Sequence, residues 1–120
     1  MTVRRLKTYT AESGRVYAYY FVGKRPALEA DPFAPATEYI FDVVSNRQPT
    51  FAISIFVPPS ALAGWLSDHG RALTDPELYG AAKMKLFRIF DQVSDWIGSE
   101  RRFSITSEEL QDLFLQLGVD

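Results

Sequence analysis

Apolar residues alternate with polar ones through the first half of the chain and recur at helical spacing through the second. Arg15 to Val22 is dense in Tyr, Phe and Val, residues that suit a pleated surface. The turn signal Glu12-Ser13-Gly14 precedes it, so Val3 to Thr10 is expected as the other arm of a hairpin. Thr37 to Val44 and Thr50 to Val57 read as a second hairpin, joined by Ser45-Asn46-Arg47-Gln48-Pro49. The simplest arrangement is a four-stranded antiparallel meander.

Side chains on a strand point to alternate faces, so each strand can be sorted. Tyr39, Phe41 and Val43 form one apolar set; Phe51, Ile53, Ile55 and Val57 form another. Both belong on the core face. The opposite face then carries Glu38, Ile40, Asp42 and Val44 beside Thr50, Ala52, Ser54 and Phe56. It is too polar for a core and too apolar for plain solvent. In the second strand, Tyr17, Tyr19 and Phe21 share a face with Arg15, which prefers water, so that set is assigned outward.

Residues 24–36 contain three prolines and no periodicity, which makes a long loop that needs a reason. Phe33, between Pro32 and Ala34-Pro35, is its candidate anchor, and the plain expectation is a loop that lays Phe33 or Leu28 over the domain's own core.

The second half carries two helix-start signals. Thr74-Asp75-Pro76-Glu77 and Thr106-Ser107-Glu108-Glu109 are capping boxes, each flanked by leucine or isoleucine at staple spacing. They predict helices over 75–97 and 107–117. A shorter helix over 60–69 follows Pro58-Pro59 and ends at Gly70. At 100° per residue the long helix gathers Leu78, Tyr79, Ala82, Leu86, Ile89, Phe90, Val93, Trp96 and Ile97 on one arc. Gly80, Met84 and Phe87 form a second apolar patch on its flank, which the last helix or another chain must cover.

The predicted fold class is therefore α+β: a four-stranded antiparallel meander followed by three helices packed on one face (β-β-β-β-α-α-α). Residues 1–120 form a single domain, with a sheet half at 1–57 and a helical half at 58–120. A length of 120 residues and a hydrophobic fraction of 47% fit one ordinary globular domain.

Charge adds local detail. The net charge is −2. Residues 1–25 nevertheless hold six basic groups against Glu12, while residues 26–80 hold seven acids against Arg47 and Arg71. Such an asymmetry can mark a basic patch for an acidic partner; opposite charges side by side on one folded surface is the plainer expectation. No apolar leader follows the basic start. The most apolar stretch, Phe51 to Leu66, is 16 residues long and interrupted by Pro58-Pro59. A membrane helix needs about 20 residues. No membrane partner and a soluble, cytoplasmic protein are the expectations.

Candidate chemistry is sparse. There is no cysteine and one histidine, His69. A thiolate metal site, a cysteine nucleophile and a two-histidine zinc motif are thus excluded within one chain. Nucleophile-elbow and phosphate-loop spacings are missing. Glu38 and Asp42 lie four apart on one strand face, roughly 13–14 Å by the strand rise, too far for a glycosidase pair. No catalytic residue, metal or cofactor is assigned, and an enzyme is not expected.

Three readings remain open. The first is association, most simply as a homodimer or with another protein, through the outer sheet face or the helix flank. The second is a small-ligand module with an aromatic pocket between sheet and long helix. The third is single-stranded nucleic-acid binding through the Tyr-rich strand, which carboxylates on the same face disfavour. Interface or ligand candidates are Tyr17, Tyr19, Phe21, Ile40, Asp42, Phe56, Met84 and Phe87.

Overall fold

The computed structural model describes residues 5–45, 48–93, 96 and 101–118. Its strands are β1 (Lys7–Thr10), β2 (Val16–Pro26), β3 (Thr37–Ser45), β4 (Gln48–Val57) and β5 (Arg102–Ser104). Its helices are α1 (Pro59–His69), α2 (Asp75–Gln92) and α3 (Ser107–Leu117). The fold is α+β, and the sheet runs in chain order β1-β2-β3-β4-β5. The first four strands form the expected antiparallel meander.

A fifth strand adds to the expected meander. β5 lies parallel to β4, with Ile55 opposite Phe103. A parallel partner needs a long crossover, here supplied by α1 and α2, and three residues show no alternation to read. The helices therefore do not follow one another uninterrupted.

The core faces of β3 and β4 are as sorted. Tyr39, Phe41, Val43, Phe51, Ile53, Ile55 and Val57 are all buried. The assignment of β2 is overturned: Tyr17 and Tyr19 are buried in the same cluster, and Phe21 packs against it. Register explains the cluster, since Tyr19 sits opposite Val43 and Phe21 opposite Phe41. Arg15 does not force this face into water. It stands just before the strand, with its guanidinium 5.9 Å from the Tyr17 ring centroid and Nη1 donating to the Tyr17 hydroxyl at 3.3 Å. A long side chain at a strand end reaches the surface from a buried face.

All three helices contribute to one cluster with the inner sheet face: Trp65 from α1, Leu86, Ile89 and Phe90 from α2, Leu110, Leu113 and Phe114 from α3. α2 begins at a complete capping box, with the Glu77 amide donating to Thr74 Oγ1 and the Thr74 amide to Glu77 Oε1. Arg71 grips the same carboxylate with both terminal nitrogens, and it leads the causes that hold the Glu77 pKa down at about 2. At α3 the expected box is half made. Thr106 accepts from the Glu109 amide, but the Glu109 carboxylate binds Lys85 instead. α2 ends at Gln92, five residues before the expected end, with Val93 already extended. Trp96 is buried in the core from beyond the helix. Ile97 of the expected helix, Val3 of the first strand, and Asn46 and Arg47 of the second turn lie outside the described residues.

The outer sheet face divides in two. At one end residues 27–36 fold back as a strap, closed by the Ala27 amide donating to Ala36 and held internally by Phe33 N–H on Asp31 Oδ1. Phe33 stacks on Phe56 at 4.5 Å, and the Arg102 guanidinium lies over both rings while pairing with Asp31. Phe56 is therefore covered, not wet. Beside it Glu38 is 5% exposed, accepting from Ser54 Oγ at 2.6 Å and Arg25 Nε at 2.9 Å. The other end is open: Val16 is 50% and Val44 38% exposed.

Candidate functional site

Three segments meet at the β1 edge of the sheet. β1 carries Tyr9 on its core side, opposite Tyr17. The flank of α2 brings Met84, Phe87 and Asp91, which fall within one helical stripe at i, i+3 and i+7. The last turn of α3 adds Gln116. Between them lies a cleft of about 450 Å³.

Its floor is aromatic. Tyr9 and Phe87 stack with centroids 4.3 Å apart and planes within 4°. Phe87 also meets the edge of Tyr19 at 5.7 Å. One wall is polar. Asp91 accepts from the Tyr9 hydroxyl at 2.8 Å and from the Glu12 amide at 3.0 Å, tying α2 to the β1–β2 turn. Arg88 also lines the cleft, and it belongs to the ion network that joins α2 to α3: Lys85 on Glu109 at 2.8 Å, and Arg88 between Glu109 and Asp112. Arg88 is thus neutralised, whereas the Glu12 side chain, also lining the cleft, enters no ion pair among the described residues. The cleft is an apolar floor with an excess of acceptors at its rim.

Tyr9 registers this environment. Burial, then the hydrogen bond and negative charge of Asp91, then the charge of Glu12, push its pKa up to about 12. Tyr19 is also raised to about 12, mainly by burial.

The candidates from the sequence separate into four places. Met84 and Phe87 lie in the cleft. Tyr17, Tyr19 and Phe21 pack with the core behind it. Phe56 and Phe33 form the strapped stack on the other face. Ile40 and Asp42 lie on that outer face too, with Asp42 accepting from the Tyr20 hydroxyl at 2.8 Å. The helix flank is covered in part by α3, whose Leu117 would lie 3.5 Å from a Cβ on Gly80. Sequence reasoning missed Tyr9, Glu12 and Asp91. The readable signal was Asp91 itself, an acid continuing the Met84–Phe87 stripe.

The lone histidine is occupied. His69 stacks on Trp65 at 3.6 Å and its Nε2 lies 2.8 Å from Gln111 Oε1. Among the described residues no group of three or more His, Asp or Glu side chains could hold a metal ion. No helix among them is long and apolar enough to cross a membrane. No known family, curated protein or solved structure matches this chain.

Proposed function

We propose that the domain binds a small organic ligand in the cleft between β1, α2 and α3, with an apolar body on Met84 and Phe87 and a donor group, such as an amine, at the acidic rim. The carrying observation is the meeting of an aromatic floor with the Glu12 carboxylate, which enters no ion pair among the described residues, in a concave space of ligand size. The chain has two methionines, Met1 and Met84, so methyl-labelled methionine gives a probe in the cleft itself. A library of amine-bearing fragments is expected to shift the Met84 methyl resonance saturably. Glu12→Gln, at an exposed position, is expected to weaken those fragments about tenfold, in line with a lost charge-assisted hydrogen bond. A library without a hit on Met84, or hits indifferent to Glu12→Gln, would reject this reading.

Self-association is the second reading. It rests on Val16 and Val44, exposed on the open half of the outer face; Phe56, Tyr17 and Tyr19 are buried and do not support it. Light scattering at micromolar concentration is expected to give about twice 13.6 kDa for such a dimer. A monomer mass, or a dimer unaffected by Val44→Lys, would refute it.

A further inference from the structure

The chain has four lysines, and they fall into two kinds. Lys24 pairs with Asp75 at 3.4 Å and Lys85 with Glu109 at 2.8 Å. Lys7 and Lys83 enter no ion pair among the described residues, although the sequence holds 15 acids. They face each other instead.

The Tyr9–Phe87 stack dictates this. Lys7 stands two residues before Tyr9 on the same face of β1, opposite Tyr19. Lys83 stands one turn before Phe87 on α2, with Nζ 5.9 Å from the Phe87 ring. Two equal steps from one contact bring the ammonium groups together on the far side of the stack from the cleft. Burial, and then Lys7 as a neighbour, lower the pKa of Lys83. Two like charges beside an aromatic floor oppose each other, and folding alone gains nothing from the contact. A doubly negative group between them would reverse the sign of that term and match its charge.

We propose that Lys7 and Lys83 form a two-point clamp for a phosphate-type dianion at the β1–α2 edge. The clamp stands or falls independently of the cleft, which lies beyond the Tyr9–Phe87 stack and carries acids.

Four lysines give four side-chain Cε and Nζ resonances, so the site can be read directly on the intact chain. Inorganic phosphate is titrated against chloride at matched ionic strength. Lys7 and Lys83 are expected to shift together and saturably, while Lys24 and Lys85 stay put. Lys7→Met and Lys83→Met are each expected to weaken phosphate at least tenfold, with Lys24→Met as the neutral control. If Lys83→Met fails to fold, Lys7→Met carries the same comparison. Four lysines moving alike and linearly would mean screening alone. That result, phosphate and chloride acting equally, or either clamp variant binding as tightly as the parent, would overturn the proposal.

Discussion

Tyr17→Ala is expected to destabilise the domain by about 3–5 kcal/mol, the usual range for deleting a buried ring. Tyr17 is fully buried, stacked on Phe90 at 4.2 Å and met edge-on by Trp96. Its hydroxyl accepts from the buried Trp96 indole N–H at 3.0 Å. Tyr17→Phe keeps the ring but strands that donor, at a cost of about 1–3 kcal/mol. Urea unfolding followed by tryptophan fluorescence reads both, as midpoint shifts at an unchanged slope. An alanine variant within about 0.5 kcal/mol of the parent would mean that the ring faces solvent.

That pair of variants bears on the point where sequence and structure part. β3 and β4 could be sorted because one face of each is wholly apolar, so a slip of one residue would drown it. β2 has no such contrast: Val16, Ala18 and Val22 on one side are as apolar as Tyr17, Tyr19 and Phe21 on the other. The larger set won the core, and Arg15 followed it to the strand end. The register shift between Phe21 and Gly23 was invisible for a different reason, since a bulge belongs to a pair of strands and not to one.

Helix starts were legible and one helix end was not. Thr74 and Thr106 cap as expected because capping is local chemistry. Nothing local stops α2 at Gln92. The apolar arc continues through Val93 and Trp96, and a core-facing residue has the same hydrophobic signature in a helix or beyond it. β5 is held along β4, with Ser54 N–H on the Arg101 carbonyl and Ile105 N–H on the Phe56 carbonyl. Its Arg102 then holds the 27–36 strap through Asp31. Phe33 was readable as an anchor, yet what it covers is the outer face. Met84 and Phe87 were found because a second apolar stripe on a helix needs cover; the cleft around them is a meeting of three segments far apart in sequence.

Asp91 is the residue on which that meeting turns, and Asp91→Ala is expected to cost about 2–3 kcal/mol through two hydrogen bonds to a charged acceptor. The loss has a pH signature. Tyr9 has a folded pKa of about 12, above its ordinary value of about 10. A group raised in the folded state contributes stability that is complete below its unfolded pKa. That contribution disappears as pH climbs from about 10 through 12. Removing Asp91 takes away the hydrogen bond and the charge that follow burial among the causes, so the Tyr9 pKa falls but stays above its ordinary value. The parent then loses more stability than the variant across this window, and their urea midpoints converge. Absorbance at the phenolate band, followed in parallel, should show one tyrosine titrating earlier in the variant. Tyr19, also held at about 12 but by burial and Tyr79, should not move. A stability gap that stays constant between pH 8 and 11.5, or a Tyr9 titration indifferent to Asp91, would break the link between the α2 carboxylate and the β1 edge on which the cleft is built.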